Sequence, residues 1–295
     1  MRTLKVEHST LYRYTAPVTF GAHRLMFRPR DSHDQKLLDA SFSASPAAEL
    51  RWYHDPFGNS IAIATFAEAA DELRLESTFR VEHYGIEGPD YPLEPFARTF
   101  PFAYTHDEMP DLARTIERHY ADPDRHVDAW ARRFVRTDGT TETMALLTVM
   151  TKAVKSELGY ARRDDHGTRP PLETLALGEG SCRDYALLLM EAARALGLAA
   201  RFVTGYLYDP DFDAAGADSD GVVGAGATHA WTQIYLPGAG WVEFDPTNGQ
   251  VGGTKLIRVA VARDPRQAVP VSGSFAGPPG AFDALEVSVR VTAES

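Results

Sequence analysis

The stretch that most limits how this chain can fold is Gly178-Glu179-Gly180-Ser181-Cys182-Arg183-Asp184-Tyr185 and the apolar run behind it. From Cys182 onward, Ala186, Leu189, Met190, Ala193 and Leu196 recur at spacings of three and four. That period places them on one helix face, which must be buried. Gly197 supplies a C-terminal stop, and Gly178, Gly180 and Ser181 are loop and cap residues. Cys182, the only cysteine of the chain, is therefore predicted in the first helical turn. Backbone N–H groups there lack intrahelical acceptors, and with the positive end of the helix dipole they favour a thiolate. An unpaired cysteine is also a common core residue, so position alone leaves both readings open.

Ahead of this helix the chain changes character once. Residues 1–95 read as β structure, beginning with a strand over Val6 to Tyr14. Between Asp71 and Tyr84, Leu73, Leu75, Phe79 and Val81 share one parity, with Ser77 as the single polar interruption. That alternation predicts a half-buried strand. Asp55-Pro56-Phe57-Gly58-Asn59 predicts a turn between Trp52-Tyr53 and Ile61 to Phe66. Short strands at this spacing suggest a sandwich. Glu87 to Pro101 holds four prolines and reads as a linker. Helical spacing follows: Leu112, Ile116 and Tyr120; Val127, Trp130 and Phe134; then Met144, Leu147, Met150, Val154 and Leu158, with Thr140 or Thr141 as a cap. Tyr160 to Pro171 is polar, basic and then proline-rich, and predicts a loop.

Beyond the cysteine helix, Ala200 to Tyr208 is β-rich, and Asp209 to Ala227 is an acidic loop long enough for a lid or an insertion. Thr228 to Leu236 and Trp241 to Asp245 flank Pro237-Gly238-Ala239-Gly240, a hairpin signal. Arg258 to Ala262 and the alternating Leu285 to Val291 predict two more strands, the last able to return to the first region. The expected fold class is α+β. A β-sandwich-like domain spans 1–95, a core with the cysteine helix on an antiparallel sheet spans 96–270, and a C-terminal segment with a final strand spans 271–295.

Charge excludes some partners. The 41 acidic and 30 basic residues give a net charge of −11, with no basic stripe. Nucleic acid and anionic membranes are therefore not expected partners. The start, MRTLKVEHST, lacks an apolar signal core, and no window approaches the length of a membrane span, so a soluble, cytoplasmic protein is expected. No cofactor or metal is expected either. The histidines show no zinc-ligand spacing. Asp209, Asp211 and Asp213 invite a calcium reading, but an EF-hand wants Gly and Glu where the chain has Ala214 and Asp220, and a strand precedes.

A thiolate nucleophile needs a base within reach and a group that orients the base. His229, near the start of one predicted strand, and Asp245, at the end of the next, can supply them. The hairpin register sets a condition. A symmetric two-residue turn at Gly238-Ala239 would pair Thr232 with Asp245 and put His229 on the opposite face. Pairing shifted by one residue, through an uneven turn over 237–240, puts Asp245 opposite Trp231 or Gln233 and on the His229 face. Asp245-Pro246 also fits a plain turn. Asp184 and Arg183 read as local residues, and Trp231 and Trp241 as packing residues more readily than as cleft walls.

The segments GSCRDYALLL, ARFVTGYL and THAWTQIYLPGAGWVEFDPTNG resemble the core of the transglutaminase-like superfamily. The chain is most similar to bacterial members with an N-terminal β region, often described as cysteine proteases. The resemblance implies a papain-like core. It places the nucleophile on Cys182, the base on His229 and the orienting carboxylate on Asp245. The implied chemistry is acyl transfer from an amide or peptide bond through a thioester, with hydrolysis favoured. The substrate would be a protein, a peptide or a small amide. Transfer to an amine, or a non-catalytic binding module, are the alternatives. The oxyanion donors would be the backbone N–H of Cys182 and, from its place in the YARR segment, Tyr160.

Overall fold

Strand alternation builds the first layers. A computed structural model describes residues 1–85, 88, 90–161, 167–210, 213 and 226–294. The N-terminal strands are β1 (Arg2–Phe20), β2 (His23–Leu25), β3 (Gln35–Ser45), β4 (Ala48–His54), β5 (Ser60–Phe66) and β6 (Ala70–His83). The helices are α1 (Met109–Ile116), α2 (His126–Arg132), α3 (Thr143–Glu157), α4 (Pro171–Leu177) and α5 (Cys182–Ala195). The central sheet holds β7 (Ala200–Leu207), β8 (Thr228–Leu236), β9 (Gly240–Asp245), β10 (Gln250–Val251) and β11 (Leu256–Ala262). The chain closes with β12 (Val271–Ser272), β13 (Phe275–Ala276) and β14 (Phe282–Glu294). The fold is α+β, with strands pairing antiparallel throughout these sheets.

In β6, Leu73, Leu75, Ser77, Phe79, Val81 and His83 all point inward, as the alternation required. In β1, inward Leu4 and Val6 are followed by inward His8 and Thr10. These polar groups satisfy one another: His8 contacts the Tyr206 hydroxyl at 2.6 Å and Thr10 Oγ1 at 3.0 Å. Burial lowers the His8 pKa to about 4, so the ring is neutral at pH 7. One sheet runs β3-β6-β1, with β13 and β14 both on the outer edge of β1, and the other runs β12-β2-β5-β4. The final strand thus returns to the N-terminal layers and pairs with β1 from Thr3 to Tyr14. The sandwich and the central sheet share a core, in which Leu4, Val6, Phe79, Val81, Val289 and Val291 meet Tyr206, Ile257 and Val259.

The central sheet has the order β10-β9-β8-β7-β11. Its even-numbered side chains Phe202, Ala230, Ile234, Val242 and Phe244 share one apolar cluster with Ala186, Leu189, Met190 and Ala193 of α5. Thr232 Oγ1 donates to the Ala186 carbonyl at 2.7 Å within this layer. The predicted buried face of α5 is correct but too narrow. Leu187, Leu188 and Ala192 are also buried, because α2 and α3 cover the other side with Val127, Trp130, Leu147 and Met150. Even its polar residues are enclosed. Glu191 and Arg194 pair at 2.9 Å, and Arg118 Nε reaches Glu191 at 3.0 Å. A helix surrounded on all sides is a rigid support for its first residue.

Several expectations need correction. Glu142, not Thr140 or Thr141, caps α3, its carboxylate accepting from Met144 N at 3.1 Å and from Ala145 N. The α1 and α2 spacings overrun, since Tyr120 and Phe134 lie past the helix ends. α4 falls immediately after the expected loop and has no counterpart in the sequence reading, because its seven residues are too few to show a period. Within the expected linker, residues 90–101 are docked rather than free. Leu93 and Ala97 are buried, and Glu94 N donates to the Pro237 carbonyl at 2.9 Å. The 209–227 loop falls mostly outside the described residues. Among the described residues no helix is long and apolar enough to cross a membrane.

Gly205 of β7, opposite His229, tests the packing of this sheet. A Cβ there would stand 2.0 Å from the Ile257 carbonyl oxygen and 2.9 Å from the Trp231 ring, where the β7–β11 register shifts. Backbone cannot retreat as a side chain can. Gly205→Ala is expected to destabilise the protein by about 1–3 kcal/mol, read as a lower urea midpoint with an unchanged slope.

Candidate active site

Cys182 opens α5, behind Ser181 as N-cap. The cap is reciprocal: Ser181 N donates to Asp184 Oδ2 at 2.9 Å, and Ser181 Oγ lies at the same distance. Asp184 is fully buried and also accepts from the backbone N of Arg169 at 2.7 Å. The local reading of Asp184 therefore holds: its carboxylate caps the start of α5. Arg183 is not local: it donates to the Pro265 carbonyl at 2.8 Å, 82 residues away, with its guanidinium 4.9 Å from the Phe202 ring centre. Gly180 pairs in parallel with Tyr160, and Ala161 N donates to the Gly180 carbonyl at 3.0 Å. These bonds hold the turn that presents Cys182, a free and buried thiol.

The hairpin meets the register condition. Leu236 pairs with Gly240 and Thr232 with Phe244, so the loop is the three residues 237–239. Gly238 at φ +93° and Gly240 at φ +75° take backbone conformations that side chains resist. Continuing the ladder sets Asp245 opposite Trp231, on the same face as His229. His229 Nε2 lies 2.9 Å from Asp245 Oδ2, with both side chains fully enclosed.

Asp245 is held from every side. Its Oδ1 accepts from Thr247 N at 3.0 Å and Asn248 N at 3.3 Å. Its Oδ2 accepts from Asn248 Nδ2 at 2.8 Å as well as from the imidazole. The turn reading and the orienting position are thus both satisfied by one carboxylate. Asn248 and Thr247 were not singled out from sequence. The signal was present in Asp245-Pro246-Thr247-Asn248, since an Asp side chain commonly accepts from backbone N–H groups two and three residues on. Burial would raise the Asp245 pKa, but the charge and hydrogen bond of His229 and the bonds from Asn248 lower it.

Burial alone would lower the His229 pKa; the charge and hydrogen bond of Asp245, then Cys182, raise it above the ordinary 6.5. The other ring nitrogen, Nδ1, is buried and meets no fully aligned hydrogen-bond partner. The thiol of Cys182 approaches the ring closely enough to raise its pKa. With Nε2 committed to Asp245, Nδ1 is the nitrogen left for proton exchange. Trp231 is fully buried and stacks on His229 with ring centres 6.0 Å apart, so it packs against the site and lines no open cleft. Tyr160 is 41% exposed, edge-on to Tyr185 at 6.3 Å. Among the described residues no cluster of three or more His, Cys, Asp or Glu side chains is arranged to hold a metal ion. Asp211 lies outside them.

The His229–Asp245 pair predicts a pH profile of stability. The raised histidine pKa contributes stability that is complete below 6.5 and is lost as pH rises through the folded-state value. The lowered aspartate pKa contributes stability present above 3.8 and lost as pH falls through its folded-state value. The protein is thus expected to gain most from this pair between about pH 4 and 6.5. In denaturant titrations, His229→Gln should flatten the decline on the alkaline side of that window; an unaltered slope would refute the coupling.

Comparison with known proteins agrees with this architecture. Residues 4–82 match the bacterial transglutaminase-like N-terminal region, and residues 128–246 match the transglutaminase-like superfamily core. An uncharacterised protein of Mycobacterium leprae is 26% identical over 295 residues, covering 99% of both chains. One of Mycobacterium tuberculosis is 27% identical over 287 residues, covering 91% of this chain and 86% of its own. The fold is similar to that of a candidate cysteine protease from Cytophaga hutchinsonii, with a TM-score of 0.73 at 18% identity, covering 100% of this chain and 91% of the other. With both matched regions in their expected order and a cysteine helix packed on an antiparallel sheet, the chain belongs to the transglutaminase-like superfamily, in its bacterial form with an N-terminal β region.

Proposed function

We propose that the protein is a cysteine-dependent enzyme that cleaves an amide or peptide bond through a thioester, with Cys182 as nucleophile, His229 as base and Asp245 as orienting group. The observation that carries this reading is the buried His229–Asp245 contact of 2.9 Å, with Cys182 acting on the same ring from the start of α5. His229 takes the thiol proton, and its raised pKa keeps the imidazolium stable once formed. The sulfur attacks the carbonyl carbon, the C–N bond breaks, and His229 returns the proton to the leaving amine. Water then attacks the thioester as His229 accepts its proton; the C–S bond breaks, releasing acid and restoring the thiol. The backbone N–H of Cys182, at the first helical position, is the nearest oxyanion donor in kind. A reducing, cytoplasmic setting suits a lone catalytic thiol.

Intact-mass spectrometry tests this reading. Wild-type protein incubated with a library of peptides and small amides should carry an acyl adduct that Cys182→Ala lacks. With added amine, continued release of free acid supports hydrolysis, whereas product only in the presence of amine shows transfer. Equal adduct on both proteins, or none on either, would remove the nucleophile from Cys182.

A further inference from the structure

On the odd-numbered face of the central sheet, away from α5, lies a cavity of about 370 Å³ roofed by loops of the N-terminal layers. The roof is fastened, not incidental. Asn59 Nδ2 donates to the Val261 carbonyl at 2.7 Å, and Val261 N donates back to Asn59 Oδ1 at 2.9 Å. Arg258 spans the gap, pairing with Asp34 at 3.0 Å and with Glu243 at 2.9 Å.

The acidic groups of this cavity are already satisfied. The Glu243 carboxylate accepts from Trp231 Nε1, Gln233 Nε2 and Arg258 Nη1. Asp34 accepts two bonds from Arg258 and one from Ser32. At the exposed rim, Asp31 accepts from Leu37 N. The donors are another matter. Arg201 lies 4.1 Å over the Trp241 ring and gives its Nε to Gln233 Oε1 at 2.6 Å. No hydrogen bond of its two terminal nitrogens is made among the described residues, and Arg201, half-buried, lines the half-open cavity. Burial lowers the Arg201 pKa to about 9, against the opposing charge of Glu243, so the guanidinium is still charged at neutral pH. The Tyr91 hydroxyl also lines the cavity without a partner there, and burial with the nearby Glu243 and Asp34 charges raises its pKa to about 12, keeping it an O–H donor. A planar fork and a hydroxyl donor facing one space fit a carboxylate, and Phe57 and Val261 supply apolar wall for the body behind it.

We propose that this cavity binds a small monocarboxylate, held by Arg201 and Tyr91, at a site distinct from Cys182. The separation is physical: Trp231, fully buried, stands between, stacking on His229 and donating to Glu243.

Benzoate and its neutral counterpart benzamide are the probes, titrated into the full chain by calorimetry and ligand-observed NMR. Benzoate should bind about tenfold or more tightly than benzamide, and Arg201→Gln should lower benzoate affinity by a similar factor. Tyr91→Phe should weaken it by a few-fold, and Cys182→Ala should leave it unchanged. Equal affinity for the two probes, no benzoate binding at millimolar concentration, or undiminished binding to Arg201→Gln would overturn the proposal. So would benzoate that protects Cys182 from alkylation and loses affinity in Cys182→Ala, because it then sits at the thiol. If Arg201→Gln fails to fold by circular dichroism, Tyr91→Phe decides, and unchanged affinity there counts against the site.

Discussion

His229→Ala is expected to lower amide turnover by about a hundred- to ten-thousand-fold, the range a positioned general base contributes. Its ring is bonded to one partner of the proposed reaction and acted on by the other. Nε2 is bound to Asp245 at 2.9 Å, and the approach of Cys182 is felt in the raised pKa. With alanine there, the thiol has no acceptor for its proton and the leaving amine has no donor. Iodoacetamide labelling of Cys182 at neutral pH should slow in parallel. Labelling at the wild-type rate would show that the ring does not act on the sulfur. His229→Gln, close in size, should restore packing without restoring turnover, which separates the chemical role from the structural one.

Asp245→Ala is expected to lose on both counts. The carboxylate accepts from His229, Thr247 N, Asn248 N and Asn248 Nδ2, all in enclosed surroundings. Removing it strands an imidazole and three N–H donors, for which a destabilisation of about 3–5 kcal/mol is the ordinary magnitude when one partner of a buried pair is removed. Asp245→Asn keeps the size and part of the hydrogen bonding, so it should fold with a smaller loss. It lacks the charge that favours the imidazolium, so turnover should still fall by about 10³-fold or more. A folded Asp245→Asn protein with near-normal turnover would relegate Asp245 to the turn it also closes. Chemical denaturation together with turnover on the same preparations reads both effects.

Much of the candidate site could be read from spacing. The three-and-four repeat behind Cys182 located α5, and Gly178, Gly180 and Ser181 located its first turn. The parity of Leu73 to Val81 located β6 and its inward face. The parity of the hairpin residues required the uneven turn that His229 and Asp245 needed, and the ladder from Leu236–Gly240 to Thr232–Phe244 has that offset. Short elements were less legible. α4 spans seven residues, too few for a period, and the 87–101 segment looked unattached although Glu94 is bonded to Pro237.

What the sequence by itself determined is therefore local: where α5 begins, which strand positions face inward, and that a sulfur, an imidazole and a carboxylate lie on elements able to meet. Those facts depend on backbone periodicity and on capping, which involve residues a few positions apart. The tertiary structure decided the rest. It closed both faces of α5, brought β14 back to β1, fastened Asn248 and Thr247 to Asp245, and brought Arg201 and Tyr91 to one cavity. Burial, and with it the raised His229 pKa and the lowered Arg201 pKa, depends on which distant segments exclude water from a group. No spacing along the chain records that.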